Sequence, residues 1–188
     1  MDYKSLIRNW HTRAGEEDYF SKFVFEYLAF IAYVKTQLYP GKDSSQTVND
    51  RNAIQRLKRD EKIKQMYLER IQHDPGFKSA WEKIKSELDR APLGNVSRSE
   101  HVKEIRWWNC SYKNPDKKTE GEKRKISGVL HSLNDWENMI EFWYSIRNNL
   151  FHGGKDPEKE RDQLVVEFAY KTLRELVTIL LNDSSPCF

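Results

Sequence analysis

One arginine in this chain is a strong candidate for a chemical role, because it lies on the apolar face of a predicted helix. Steps of three and four place Arg147 on one face with a stripe of large apolar residues: Ile126, Val129, Leu133, Trp136, Ile140, Trp143 and Leu150. An unpaired buried charge is costly, so this guanidinium must be paired, must extend to water, or must face a partner surface or a ligand.

A histidine follows at the end of the same predicted helix. His152 lies about 7.5 Å along the axis from Arg147 and about 140° around it if the helix continues undisturbed. Gly153 and Gly154 come next and favour a left-handed cap, which would swing His152 back toward Arg147. Asn148 and Asn149 add polar groups in the same turn.

The segment RNNLFH, Arg147 to His152, resembles the signature of the HEPN superfamily, an arginine followed by four to six residues and a histidine. Asn148 occupies the polar position after the arginine. The following glycines and lysine (HGGK) resemble the Apea-like branch, as does the early aromatic segment FSKFVFEYLAFIAYV. The resemblance covers residues 18–38 and 125–181. It implies an all-α HEPN-type bundle of long antiparallel helices that forms a homodimer, and often a metal-independent endoribonuclease without a cofactor.

The resemblance also implies roles for individual residues. Arg147 would stabilise the charge that develops on a phosphate, and His152 would transfer protons at the 2′-hydroxyl or the leaving 5′-oxygen. Asn148 would orient Arg147 or the phosphate. Attack by the 2′-hydroxyl leaves a 2′,3′-cyclic phosphate and a 5′-hydroxyl. Some HEPN proteins are toxins or defence proteins, so the resemblance also implies an antitoxin or regulatory protein as a partner. Certain HEPN toxins carry a modifiable tyrosine two positions after the motif histidine, where this chain has Gly154.

Structural explanations compete with these roles. Arg147 could pair with Glu26 or Glu141, and His152 could cap its helix near the carbonyl end. Asn148 and Asn149 could be ordinary residues of a helix terminus. The alternative function is a catalytically inactive HEPN module for RNA binding or protein–protein interaction.

Glu26 is a second unusual position, because it is a carboxylate among the aromatic residues of an early helix. It either supports the site by pairing with Arg147 across the bundle or lies in water at the edge of the apolar arc.

A basic loop at 113–125 offers a candidate RNA surface, since lysines and arginines can follow a phosphate backbone. Six basic and three acidic residues lie there, with no apolar residue. We expect it to be solvated and mobile. The candidate RNA-binding residues are Lys117, Lys118, Lys123, Arg124 and Lys125, with Lys155 after the glycines and Arg51 in the charged helix. A plain solvated surface is the competing explanation.

Composition narrows the class of protein. The 188 residues suit one domain, 1–188, with a tail at 183–188, and 38% hydrophobic with 32% charged residues fits long helices. A net charge of +3 permits nucleic acid as a partner without requiring it. Two cysteines and scattered histidines predict no metal site. The sequence shows neither a signal peptide nor a membrane span, so we expect a cytoplasmic protein. It also contains no motif that reads a DNA sequence.

The periodicity predicts an all-α fold with a charged helical insert and no strand. The chain ranges predicted as helical are 16–39, 48–72, 77–88, 99–108, 125–151 and, capped by Asp156 with Pro157 in its first position, 157–181.

Overall fold

The computed structural model describes residues 2–15, 18–38, 49–93 and 128–182. Within these ranges the chain forms seven α-helices, one π-helical turn and no strand, which confirms the all-α prediction for this part of the chain. The elements are α1 (Tyr3–Arg13), α2 (Tyr19–Tyr33), the π-helix (Val34–Leu38), α3 (Asp50–Leu57), α4 (Glu61–His73), α5 (Pro75–Arg90), α6 (Trp136–Phe151) and α7 (Glu160–Asn182). Among the described helices none is both long and apolar enough to cross a membrane.

The chain divides into two compact units. The first unit comprises Met1–Glu69 and Val166–Phe188, and the second unit comprises Arg70–Val165. Both divisions fall inside a continuous helix, α4 in one case and α7 in the other. A single domain stays a prediction.

The first unit begins with a helix that the sequence did not predict. Asp2 caps α1 by accepting hydrogen bonds from the backbone N–H groups of Lys4 and Ser5. The only buried residue of α1 is Ile7, so the helix lacks a wide apolar stripe. It packs on α2, where the rings of Trp10 and Phe25 stack with centroids 5.3 Å apart.

The aromatic helix α2 supplies the core of the first unit. Asp18 caps it through the N–H groups of Phe20 and Ser21, and its buried aromatic residues are Phe23, Tyr27 and Phe30. The predicted helix at 16–39 is correct in its centre, but the α-helix ends at Tyr33 and continues as the π-helix. Glu16, Glu17 and Tyr39 lie outside the described residues.

The prediction of one helix at 48–72 is wrong, because two helices occupy this range. Asn49 caps α3 with a hydrogen bond of 2.8 Å from the N–H of Asn52. The chain turns at 58–60, and Asp60 then accepts a hydrogen bond of 3.1 Å from the N–H of Ile63 at the start of α4. Each aspartate or asparagine therefore starts a helix of its own.

The core of the second unit contains a cluster of tryptophan rings. Trp81 of α5 meets Phe142 and Trp143 of α6 with ring centroids 5.9 and 5.7 Å apart. Trp136 contacts Trp143 edge to face. All four rings are buried, so this aromatic cluster fixes the face that α6 turns inward.

The start of α6 differs from the prediction. The predicted helix at 125–151 begins only at Trp136, because 128–135 forms turns. Asp135 holds them by accepting hydrogen bonds from the N–H of His131, at 3.0 Å, and from the amide of Asn138, at 2.8 Å. The preceding positions 125–127, and with them the predicted helix at 99–108, the loop at 113–125 and the tail at 183–188, lie outside the described residues.

The N–H of Leu93 donates to the carbonyl of Gly128 at 3.0 Å, which joins two points that lie far apart along the chain. Gly128 has φ of +79°, and a Cβ added there would lie 2.4 Å from the carbonyl oxygen of Leu93. Only glycine fits this position without displacement of the backbone.

Helix α7 begins later than predicted. Asp156 accepts a hydrogen bond from the N–H of Glu158 at 3.0 Å, so it holds a turn that contains Pro157. The helix starts at Glu160 and not at Pro157.

Candidate functional site

Arg147 lies in the last turns of α6 and is half-exposed, whereas Trp136, Ile140 and Trp143, the stripe residues that precede it in α6, are buried. Its Nη1 donates a hydrogen bond of 3.0 Å to the side-chain oxygen of Asn148. Its guanidinium carbon lies 4.7 Å from the ring centroid of Phe151, whose exposed fraction is 56%. The arginine thus extends from the apolar face to the surface, held between an amide and an aromatic ring.

His152 is the C-cap of α6. Its backbone N–H donates to the carbonyl of Asn148 at 3.0 Å, and its side chain is exposed. Neither ring nitrogen hydrogen-bonds to a described residue. The imidazole therefore lies at the same helix end as Arg147 and is open to solvent.

The two glycines close the helix as a Schellman motif. The N–H of Gly153 donates to Leu150 at 3.2 Å and that of Gly154 to Asn149 at 2.7 Å. Gly153 has φ of +69°, the left-handed conformation that the sequence suggested. This cap determines how the backbone of His152 leaves the helix.

The two asparagines after Arg147 differ in environment. Asn148 is half-exposed and accepts the hydrogen bond from Arg147, and the orienting role that the resemblance implies for it stays a prediction. Asn149 is 2% exposed and belongs to the core side of α6.

Lys155, a candidate for RNA binding, needs a correction. Its side chain is 4% exposed, and its ammonium lies 2.5 Å from the carboxylate of Asp162. The other carboxylate oxygen of Asp162 accepts from the N–H of Asp156 at 3.0 Å. Burial pushes the pKa of Asp162 upward, but these hydrogen bonds and the nearby charges of Lys155 and Arg161 outweigh it and lower the pKa. Lys155 is a structural cation that closes the loop before α7.

The remaining basic candidates are Arg51 and the residues of the 113–125 loop. Arg51 lies half-exposed in α3, in the first unit. The loop candidates Lys117, Lys118, Lys123, Arg124 and Lys125 lie outside the described residues.

Glu26 is fully buried, so its predicted alternative position in water at the edge of the apolar arc is wrong. His11 Nδ1 lies 2.7 Å from Glu26 Oε1, and Arg174 Nη1 donates to Glu26 Oε2 at 3.3 Å. The same Nη1 donates to the backbone carbonyl of His11 at 3.0 Å. All three residues belong to the first unit, whereas Arg147 belongs to the second.

Sequence reasoning missed His11 and Arg174. His11 lies in α1, which was not predicted as a helix, and Arg174 lies in α7, far along the chain from Glu26. The available signal was Glu26 itself, because a carboxylate on an aromatic face requires cationic partners.

No group of three or more His, Cys, Asp or Glu residues in the described ranges is arranged to hold a metal ion. Comparisons of the chain with protein-family models, with curated proteins and with solved structures give no match.

Proposed function

We propose that the protein is a metal-independent endoribonuclease of HEPN type that acts as a cytoplasmic homodimer, with Arg147 and His152 as its catalytic residues. The observation that carries the proposal is the surface position of the Arg147 guanidinium, held by Asn148 and Phe151 at the helix end that also exposes His152. The order of these residues resembles the HEPN motif.

The reaction needs an anion clamp and a group that moves protons. An imidazole takes the proton from the 2′-hydroxyl, the 2′-oxygen attacks phosphorus, and the bond from phosphorus to the 5′-oxygen breaks. The departing 5′-oxygen receives a proton, which leaves a 2′,3′-cyclic phosphate and a 5′-hydroxyl. In a homodimer, the His152 residues of both copies could serve as base and acid in one cleft.

Arg147 stabilises the charge that the phosphate oxygens gain during attack, and its fork of donors suits such an anion. Asn148 occupies Nη1 and so limits the rotation of the guanidinium. Phe151 supports its face. A preorganised donor of this kind avoids the cost of ordering during the reaction.

A second candidate is an inactive module that binds RNA or a protein partner, such as an antitoxin. The observation that favours it is the Schellman motif, because the cap accounts for His152, Gly153 and Gly154 without catalysis. Phe151, exposed at the helix end, then provides an apolar contact for the partner.

The test is cleavage of a mixed pool of structured and single-stranded RNA in EDTA, comparing the wild type with Arg147→Ala and His152→Ala. Arg90→Ala and His131→Ala are matched controls, since both residues are exposed and lie in the same unit. Cutting that leaves cyclic-phosphate ends, persists in the controls and disappears in both site variants supports the nuclease. Cutting that persists in Arg147→Ala and His152→Ala would reject this site, and a folded wild type that binds RNA without cutting supports the module.

A further inference from the structure

The cluster around Glu26 leaves one imidazole nitrogen available after its internal contacts are made. His11 lies 2.7 Å from the carboxylate through Nδ1. Because a carboxylate only accepts, Nδ1 carries the hydrogen, and Nε2 is left over. The His11 side chain is 17% exposed, and no other described residue hydrogen-bonds to its ring. The buried carboxylate therefore fixes the orientation of a ring whose other nitrogen can meet a ligand.

Arg174 also retains unused donors. Its Nη1 serves both Glu26 and the carbonyl of His11, and the guanidinium also hydrogen-bonds to the Tyr170 side chain, which leaves two of its five N–H donors. The side chain is 33% exposed. Gly15 lies beside Nη2, and a Cβ added there would come within 3.7 Å of it. Two spare guanidinium donors beside an imidazole suit a phosphate.

Two tyrosines continue the surface from Arg174. The guanidinium carbon lies 5.8 Å from the ring of Tyr170, which lies 6.1 Å from the ring of Tyr19. Tyr170 is 7% exposed, whereas Tyr19 is 38% exposed at the start of α2. Lys22 lies 5.1 Å from the ring centroid of Tyr19 and 5.9 Å from that of Tyr170. The exposed ring thus has a cation next to it.

The described charges around these rings are balanced: Lys22, Lys171 and Arg174 stand against Asp18, Glu26 and Glu167. No carboxylate of a described residue is within ion-pair distance of Lys22. Lys171 also lies near Tyr19, at 5.7 Å, but it pairs with Glu167 at 2.5 Å. Asp18 accepts hydrogen bonds from the first turn of α2. Among the described residues of this surface, Lys22 is therefore a cation without a carboxylate partner, and Arg174 offers an anion its remaining N–H donors.

We propose that His11, Tyr19, Lys22 and Arg174 form a nucleotide-binding surface of the first unit. A phosphate group bonds to Arg174 and His11, and the attached base stacks on Tyr19 beside Lys22. Aromatic rings interleaved with cations bind single nucleic-acid strands in this way, since every base has a face to stack. The nucleotide is either free or part of a single-stranded RNA. The proposal rests on these residues alone and does not depend on the ribonuclease proposal.

The experiment measures fluorescence anisotropy of a labelled oligoadenylate RNA in a His152→Ala background, so that the probe stays intact. Tyr19→Ala should weaken binding about tenfold through lost stacking. Arg174→Lys keeps a cation beside Glu26 but loses the fork, and should weaken binding several-fold. Matched controls are Tyr3→Ala, at a residue 46% exposed in α1, and Arg90→Lys, at a residue whose side chain is 72% exposed. The controls should bind like the background protein.

Competition with 5′-AMP separates the two sources of the nucleotide. Displacement of the labelled RNA by 5′-AMP supports a site for one nucleotide. Binding of the labelled RNA without such displacement supports single-stranded RNA as the ligand. The proposal is overturned if the protein binds neither the labelled RNA nor 5′-AMP. It is also overturned if Tyr19→Ala and Arg174→Lys bind the RNA as tightly as their control variants do, provided that urea unfolding of all four proteins is unchanged. Tyr19-dependent binding together with no cleavage by the wild type would overturn only the ribonuclease proposal.

Discussion

Nδ1 of His11 lies 2.7 Å from Oε1 of the fully buried Glu26, and Arg174 reaches the other oxygen of the same carboxylate. These three side chains come from α1, α2 and α7. A carboxylate buried in α2 therefore connects three helices of the first unit, and hydrogen bonds from both partners compensate its burial.

Removing Arg174 alone should reduce the free energy of unfolding more than removing the charges of both Arg174 and Glu26. Arg174→Met leaves the Glu26 carboxylate buried with one partner fewer, and we expect unfolding free energy to fall by about 3–5 kcal/mol. The double variant Glu26→Gln with Arg174→Met carries no buried carboxylate, so it should be more stable than Arg174→Met. Urea denaturation of the full chain measures both. A double variant that is less stable than the single one would contradict this explanation.

Two glycines with positive φ should differ in their tolerance of alanine. Gly128→Ala and Gly153→Ala share the backbone strain of the left-handed region, about 1–2 kcal/mol. Gly153 has nothing within 4 Å of an added Cβ, whereas Gly128 would meet the carbonyl of Leu93 at 2.4 Å. We expect Gly128→Ala to destabilise the protein considerably more than Gly153→Ala in the same denaturation assay. Equal losses would show that the Leu93 contact relaxes without cost.

Asp162 should make the second unit sensitive to acid. Its pKa in the folded protein lies below the ordinary value of 3.8. The stabilisation is therefore complete above about pH 4 and disappears as pH falls through the lowered folded pKa. Asp162→Asn should reduce stability at neutral pH and flatten the loss below pH 4, as followed by urea denaturation at several pH values.

The Lys155 side chain provides the control for that prediction. In Asp162→Asn its ammonium, 4% exposed, loses its carboxylate. Adding Lys155→Met removes the unpaired buried cation, so the double variant should regain stability. No recovery would indicate that the backbone hydrogen bond from Asp156 to Asp162 matters more than the ion pair.

Asn148 should affect the rate of RNA cleavage without affecting the fold. Asn148→Ala removes the hydrogen bond between Asn148 and Nη1 of Arg147, and we expect kcat to fall roughly tenfold through lost orientation. Asn148→Asp places a carboxylate against the guanidinium, where it competes with the phosphate, so its kcat should fall further. Single-turnover cleavage at saturating RNA measures both, with helicity as the control. A wild-type rate in Asn148→Asp would exclude Arg147 as the anion clamp.

Local patterns predicted the elements that have strong local signals. The predicted helices at 16–39, 77–88 and 157–181 correspond to α2, α5 and α7 apart from their ends. The break between α3 and α4 was missed because helical periodicity passes through 58–60 without interruption, whereas the cap at Asp60 depends on one side-chain hydrogen bond. Helix α1 was missed because its packing on α2 replaces a wide apolar stripe.

The candidate site was predictable to the extent that it lies within one helix end. Arg147, Asn148, His152 and the glycine cap are neighbours in sequence, so spacing brought them together. The partners of Glu26 were not predictable, because His11 and Arg174 reach it from helices distant along the chain. The burial of Lys155 depends in the same way on a carboxylate of α7.

The hydrogen bond between Leu93 and Gly128 also offers an engineering route. Since the two residues are in direct contact, a short turn of about two to four residues could replace positions 94–127 in a shortened gene. Such a minimal chain would retain Arg147, His152 and the cluster around Glu26 while lacking the lysines at 113–125. The contribution of positions 94–127 to RNA binding would then be the difference in RNA affinity between the full chain and the shortened chain.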